Sequence, residues 1–161
     1  MCDLIFLDVD GCLTDGKIIY GHNIEIKEFN VKDGAAIIAW QKLGKHIAII
    51  TGRKSQAVID RANDLGIKEV YTGVNDKLSV ASSICKKLEL ELENCAAIGD
   101  YYNDMALLKR VGYAFKPNDG LSELEAIQLR LKGGEGCVDE MIRYLVNKNG
   151  MQKQWNELWN Q

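Results

Sequence analysis

The sequence lacks an apolar run long enough to cross a bilayer, which takes about 20 consecutive residues in a helix, so no membrane partner is expected. It also lacks an excess of positive charge, because 20 lysines and arginines stand against 23 acidic residues and give a formal net charge of −3. This balance is unfavourable for nucleic acid or an anionic membrane surface as the main partner. The first predicted strand begins at about residue 4, so we expect no signal peptide.

Histidine is scarce, and neither histidine nor cysteine follows a metal-binding or disulfide pattern. The two histidines, His22 and His46, fall at a predicted hairpin tip and before a predicted strand, where we expect no catalytic role. The five cysteines are scattered and contain no C-x-x-C pair, which favours free thiols in a reducing cytoplasm. They are Cys2, Cys12, Cys85, Cys95 and Cys137.

Apolar runs alternate with helical patterns along the chain, as is typical of a parallel α/β sheet. Buried strands are predicted at residues 4–7, 47–50, 70–72, 96–99 and 113–115. Helices are predicted at residues 34–43, 56–65 after a Ser55 N-cap, 77–88, 105–110 and 138–146. We therefore predict a Rossmann-like three-layer sandwich with a mainly parallel sheet in a single domain over residues 1–147, followed by a C-terminal tail over residues 148–161.

Two segments depart from this alternation. Residues 17–31 alternate apolar and polar side chains on both sides of Gly21-His22-Asn23, which predicts an inserted β-hairpin. In the polar C-terminal tail, Trp155 and Trp159 are four residues apart and would share a helix face. We expect that face to pack on a neighbouring subunit.

A group of acids follows the first predicted strand directly, in "LIFLDVDGCLTDG". Ligands of parallel α/β sheets bind at the carboxyl ends of the strands, where Asp8, Asp10, Thr51, Lys77 and Asp100 are all expected. Two or three carboxylates there form a set of hard oxygen ligands that suits Mg²⁺. A hydroxyl, backbone N–H groups and a lysine beside the metal suit a phosphoryl group.

Four stretches in this order, "DVDGCLTDG", "ITGRKS", "DKLSVA" and "IGDYYNDMALL", resemble the motifs of the haloacid dehalogenase-like phosphatases. The hairpin, "FNVKDG" and "GGEG" resemble more narrowly the capless members that act on an eight-carbon keto-sugar acid phosphate. The likeness extends over about residues 4–146. Only a hairpin and one helix separate the first two motifs, so no cap domain is expected.

The resemblance implies a role for each matching residue in a cytoplasmic Mg²⁺-dependent phosphatase. Asp8 would be the nucleophile that forms an aspartyl-phosphate, and Asp10 the general acid and base. Asp8, the backbone carbonyl of Asp10, and Asp100 would hold Mg²⁺. Thr51, Gly52 and Lys77 would bind the phosphoryl group, and Asp104 would position Lys77 or a metal-bound water.

The residues that select the substrate are less sharply indicated. Arg53 and Lys32 are candidate substrate contacts or plain surface charges, and Asp33 is either a substrate contact or the N-cap of the helix at residues 34–43. Capless relatives form ring-like tetramers, so the resemblance also implies a homo-oligomer. Hairpins and a flexible glycine-rich segment, here residues 132–136, would close the sites of neighbouring subunits.

Three alternatives stay open at this point. A nine-carbon keto-sugar acid 9-phosphate could be the substrate, although relatives of that kind tend to carry an acid where this chain has Arg53. A receiver domain also phosphorylates an aspartate beside Mg²⁺, but it needs no counterpart of Asp10. A non-catalytic oligomerisation module would be expected to lose the acids that this chain retains.

Overall fold

The computed structural model describes residues 1–160, and within them the chain forms eight strands and six α-helices. The strands are β1 (Leu4–Leu7), β2 (Ile19–Gly21), β3 (Ile24–Ile26), β4 (His46–Thr51), β5 (Glu69–Thr72), β6 (Cys95–Ile98), β7 (Tyr113–Lys116) and β8 (Ile127–Gln128). The helices are α1 (Val31–Lys42), α2 (Gln56–Asp64), α3 (Lys77–Leu88), α4 (Met105–Leu108), α5 (Cys137–Lys148) and α6 (Gln152–Glu157).

Six strands form one parallel sheet in the order β5-β4-β1-β6-β7-β8. The central strand β1 is apolar throughout because both of its faces are buried. Ile5 and Leu7 point into the core beneath α1 and α5, whereas Leu4 and Phe6 point into the core beneath α3 and α4. The predicted α/β sandwich is therefore confirmed. The short edge strand β8 was not predicted, since two residues carry no recognisable period.

The first helix begins earlier than predicted. It starts at Val31 and is capped by Asn30, whose side chain accepts a hydrogen bond from the backbone N–H of Lys32. Of the two roles considered for Asp33, that of N-cap of this helix is therefore wrong, because Asp33 lies inside the first turn. Asn30 is an equally good capping residue, and its position three residues upstream was overlooked.

The predicted hairpin is present as an antiparallel pair of β2 and β3 with a two-residue turn at His22-Asn23. Asn23 has a φ of 59°, which asparagine tolerates in a tight hairpin turn. The hairpin exposes four large apolar side chains. These are Ile19, Tyr20, Ile24 and Ile26.

Trp155 in α6 is buried in the core of its own chain, beside α5, rather than on a neighbouring subunit as expected. Trp159 contacts its ring edge to face but remains about half exposed. The five cysteines are all buried and free, which confirms the prediction of free thiols. Among the described helices, none is both long and apolar enough to traverse a bilayer.

Candidate active site

The loop that carries Asp8, the predicted nucleophile, covers residues 8–13 and begins where β1 ends; we call it the nucleophile loop. Asp8 follows Leu7 in extended conformation, and the chain then turns through residues 9–13. Gly11 has a φ of +89°, in the left-handed region that favours glycine. A Cβ at Gly11 would also overlap the carboxylate of Asp100. Glycine at this position therefore lets the acid after β6 approach the acid after β1.

A pocket of about 290 Å³ opens at the carboxyl edge of the sheet. It brings together several of the residues predicted from the motifs, which stand at the ends of three strands, β1, β4 and β6. Its lining comprises Asp8, Asp10, Gly16, Thr51, Gly52, Arg53, Asp100, Tyr101 and Asn103. The parallel register accounts for this convergence, because β1 pairs with both β4 and β6 and all three strands end at one edge.

Lys77 lies beneath the pocket and joins two buried carboxylates. Its Nζ donates to Oδ1 of Asp8 and to Oδ1 of Asp104, each at 2.6 Å. Oδ2 of Asp104 accepts hydrogen bonds from the backbone N–H groups of Asp100 and Tyr101 at 3.1 and 3.2 Å. Asp104 thus holds both the lysine and the loop that carries Asp100.

The buried acids carry more negative charge than Lys77 alone compensates. Burial and then the charge of Asp104 raise the pKa of Asp8, although Lys77 acts in the opposite direction. Burial and then Asp104 likewise raise the pKa of Asp100 to about 6. Burial alone would lower the pKa of Lys77, but the charges of Asp8 and Asp104 outweigh it and raise that pKa. A further cation would relieve this repulsion.

The ligand atoms of Asp8, Asp100 and Cys12 lie within 4.8 Å of one another. Burial, followed by the charge of Asp8, raises the pKa of the Cys12 thiol well above its ordinary value, so its thiolate is disfavoured. The carboxylates of Asp8 and Asp100 are therefore the candidate ligand pair, and hard oxygen donors fit Mg²⁺ better than a softer metal.

Asp10 is held by the hairpin. The ammonium of Lys27 forms an ion pair with Oδ1 of Asp10, and the Lys27 side chain is fully buried. Nε of Arg53 lies 4.0 Å from Oδ2 of Asp10. Arg53 also donates to Glu25 at 2.8 Å and to the Tyr20 hydroxyl at 3.3 Å, so it connects the hairpin to the loop after β4.

Two of the predicted substrate contacts lie outside the pocket lining. Lys32 is exposed on the first turn of α1. Asp33 is buried, and its Oδ1 accepts a hydrogen bond of 2.8 Å from the backbone N–H of Asp139 in the first turn of α5. Burial raises the pKa of Asp33 to about 6 despite this hydrogen bond. Asp33 therefore caps the fifth helix rather than the first.

The glycine-rich segment 132–136 packs on its own chain instead of extending away from it. The backbone N–H of Gly134 donates to the carbonyl of Cys12 at 3.0 Å. A Cβ at Gly133 would collide with the backbone of Gly11. These glycines allow the segment to approach the nucleophile loop of its own chain closely. A contact of the segment with a neighbouring subunit stays a prediction.

Lys27, Glu25, Tyr101 and Asn103 are the site residues that the sequence analysis missed. Tyr101 and Asn103 stand within the "GDYYND" motif, of which only the two acids were predicted as site residues. Glu25 and Lys27 are two apart and so lie on one side of the extended hairpin arm. The available signal was this pair of charges in the hairpin, which follows the acids after β1 closely in the sequence.

Comparison with known proteins places this geometry in a family. A model of haloacid dehalogenase-like hydrolases matches residues 69–127. The 3-deoxy-D-manno-octulosonate 8-phosphate phosphatase of Escherichia coli (strain K12) is 38% identical over 151 residues, which covers 91% of this chain and 80% of that protein. The corresponding phosphatase of Yersinia pestis is 37% identical over 147 residues, with 89% and 79% covered.

Solved structures give the same result. A crystal structure of 3-deoxy-D-manno-octulosonate 8-phosphate phosphatase from Yersinia pestis superposes with a TM-score of 0.92 at 35% identity, covering 94% of this chain and 84% of that chain. The enzyme from Moraxella catarrhalis, in complex with a magnesium ion, a phosphate ion and KDO, has a TM-score of 0.92 at 34% identity. That match covers 98% of this chain and 93% of the other.

Proposed function

This chain belongs to the haloacid dehalogenase-like phosphatases, in the family that contains the 3-deoxy-D-manno-octulosonate 8-phosphate phosphatases, and we propose that it hydrolyses this eight-carbon sugar acid phosphate to KDO and phosphate through an aspartyl-phosphate. Such a reaction would serve lipopolysaccharide precursor synthesis. As a phosphatase, the chain is neither a receiver domain nor a non-catalytic module. The observation that carries the proposal is the buried Asp8 at the pocket floor, held by Lys77 beside Asp100.

Asp8 attacks phosphorus as the nucleophile in the proposed mechanism. Its Oδ1 is occupied by Lys77, which fixes the carboxylate at the end of β1. A carboxylate forms a mixed anhydride with the phosphoryl group and so divides hydrolysis into two easier steps. The hydroxyl of Thr51, the N–H of Gly52 and the ammonium of Lys77 would bind the equatorial phosphoryl oxygens, where negative charge accumulates.

Asp10 acts as general acid and then as general base. It lines the same pocket as Asp8 and is partly exposed, so it can exchange protons with the bound substrate and with water. It donates a proton to the departing sugar oxygen, and it later removes a proton from the water that hydrolyses the aspartyl-phosphate.

The donor set supports Mg²⁺ as the cofactor, with Asp8, Asp100 and the backbone carbonyl of Asp10 as ligands. The magnesium ion in the Moraxella catarrhalis enzyme is consistent with this assignment. Bound Mg²⁺ would supply a positive charge that offsets the repulsion between the phosphate and the attacking carboxylate. Asp104 would keep Asp100 in place, because its carboxylate accepts hydrogen bonds from the backbone N–H groups of Asp100 and Tyr101.

The eight-carbon substrate is supported by the relatives and by Arg53, which lines the pocket as a cation. The alternative is a nine-carbon keto-sugar acid 9-phosphate. A comparison of kcat/KM for the two sugar phosphates on the purified protein separates these substrates. A clear preference for the nine-carbon compound would overturn the assignment.

The exposed apolar hairpin supports a homo-oligomer, most simply the tetramer of capless relatives, in which neighbouring subunits cover each other's open pockets. Exposure of Ile19, Ile24 and Ile26 together is unfavourable for an isolated chain. Light scattering coupled to size-exclusion chromatography measures the assembly directly, and a monomer at working concentration would contradict it.

Replacement of Asp8 by asparagine tests the nucleophile. Asp8→Asn keeps the shape of the side chain but removes the attacking anion, so we expect no measurable phosphate release from the sugar phosphate or from p-nitrophenyl phosphate with Mg²⁺. Circular dichroism checks that the variant is folded. Retained turnover in a folded Asp8→Asn protein would eliminate the aspartyl-phosphate mechanism.

A further inference from the structure

Four alternating charges form a closed ring beside the pocket: Asp10, Lys27, Glu25 and Arg53. Asp10 and Arg53 belong to the pocket lining. Lys27 pairs with Oδ1 of Asp10 and lies 3.5 Å from Oε1 of Glu25. Oε2 of Glu25 lies 2.8 Å from Arg53, and Arg53 closes the ring at 4.0 Å from Oδ2 of Asp10. The ring connects the nucleophile loop, the hairpin and the loop after β4.

Lys27 is the most buried member of this ring. Its side chain has no exposed surface, whereas those of Asp10, Glu25 and Arg53 are 20%, 18% and 42% exposed. A buried ammonium is costly unless it is paired, so Lys27 is confined to positions where Asp10 and Glu25 surround it. It follows β3 directly, and the backbone of the hairpin limits its movement further.

The two carboxylate oxygens of Asp10 have different surroundings as a result. Oδ1 is occupied by the buried Lys27, which is not part of the pocket lining. Oδ2 lies on the side of Arg53, which lines the pocket. The side chain cannot rotate freely without separating Oδ1 from a buried cation.

We propose that Lys27 is a positioning residue that holds Oδ1 of Asp10 and thereby presents Oδ2 as the oxygen that carries the transferred proton. This inference rests on the proposed role of Asp10 as general acid. In the first step the bond between phosphorus and the sugar oxygen breaks while a bond from phosphorus to Asp8 forms. The electron pair stays on the sugar oxygen, which takes the proton from Oδ2 of Asp10.

The effect of Lys27 is therefore specific to the leaving group. A sugar alkoxide is a poor leaving group and needs the proton, whereas p-nitrophenolate leaves without one. The quantity to measure is kcat/KM, which covers the steps up to transfer of the phosphoryl group to Asp8 and excludes the later hydrolysis. The ratio of kcat/KM between the two substrates does not depend on the fraction of folded enzyme.

The experiment compares the wild type with Lys27→Met, Lys27→Arg, Asp10→Asn and the double variant Lys27→Met/Asp10→Asn, each with Mg²⁺. Lys87→Met is the matched control, because Lys87 pairs with Glu69 on the surface far from the pocket lining. For Lys27→Met we expect kcat/KM to fall about 10- to 100-fold for the sugar phosphate and less than about 3-fold for p-nitrophenyl phosphate. The loss is smaller than the about 100- to 10,000-fold that a complete general acid or base supplies, because Asp10 is misplaced and not removed.

Lys27→Arg should restore part of this ratio, since it retains a cation. In the Asp10→Asn background Lys27→Met should change kcat/KM little further, because the group on which it acts is already lost. An unchanged substrate ratio in Lys27→Met, or a full additional loss in the double variant, overturns the role of Lys27. If Asp10→Asn itself leaves the ratio unchanged, the general acid assignment fails instead.

Discussion

Replacement of Lys77 by methionine tests how the buried charges of the active site are balanced. Methionine has a similar length and leaves Asp8 and Asp104 without the ammonium that contacts both at 2.6 Å. Lys77 is 2% exposed, so water cannot take its place without rearrangement. Removing one partner of a buried ion pair costs about 3–5 kcal/mol, a large part of the about 5–15 kcal/mol that stabilises a typical domain.

Urea unfolding in metal-free buffer at pH 7, followed by circular dichroism, measures this loss. Lys87→Met is the control, because its pair with Glu69 is exposed and screened by water, and its unfolding midpoint should be nearly unchanged. Lys77→Met should also lack phosphatase activity, since the phosphoryl oxygens lose their cation.

The stability difference between wild type and Lys77→Met should depend on pH. In the folded wild type, burial already raises the pKa of Asp8 to about 8, although Lys77 opposes the rise. The variant lacks this opposition, so its folded state keeps the Asp8 proton to a higher pH than the folded wild type does, while both unfolded chains have released it. A group with a raised folded pKa loses stability as the pH rises toward that pKa, by up to about 1.4 kcal/mol per pH unit. The deficit of the variant should therefore stay nearly constant from pH 5 to 7 and grow as the pH rises above about 8. A variant with the wild-type unfolding midpoint at pH 7, or a deficit that shrinks above pH 8, would refute this account.

Two further predictions concern stability away from the pocket. Trp155→Ala removes a buried indole from the core beside α5 and should lower the free energy of unfolding by about 3–5 kcal/mol. Trp159→Ala, at a half-exposed position, is the control. Equal losses of stability for the two variants in urea titrations would contradict the packing of Trp155. Asp33→Asn removes a carboxyl whose folded pKa is about 6, so the wild type loses about 3 kcal/mol relative to the variant as the pH rises from 4 to above 6. Unfolding midpoints at pH 4 to 7 check this, and parallel curves would disprove it.

The positions of the sheet strands and of most helices could be predicted because their signals are local. Apolar runs at β1, β4 and β6 have the length and flanking residues of buried parallel strands, and α3 begins and ends at the predicted residues. The first residue of α1 could not be predicted from the sequence alone, because Asn30 and Asp33 are both good capping residues. The tertiary structure assigns Asn30 to α1, because the carboxylate of Asp33 instead accepts a hydrogen bond from Asp139 in α5, 106 residues away.

The parts of the site that follow strand ends were also predictable. Asp8, Thr51 and Asp100 each stand at the carboxyl end of a parallel strand, so they meet in any correctly ordered sheet. Lys77 was found through its motif, whereas its simultaneous contact with Asp8 and Asp104 needed the structure.

By itself the sequence determined the class of fold, the order of its elements and the strand ends that carry the acids, because periodicity and motif spacing are properties of neighbouring residues. Only the tertiary structure decided which charges pair and which surfaces touch. Lys27 meets Asp10, and Gly133 meets Gly11, across loops whose path depends on the packing of the whole domain. Burial then gives those contacts their energy, since a charge that water cannot reach must find its partner within the protein.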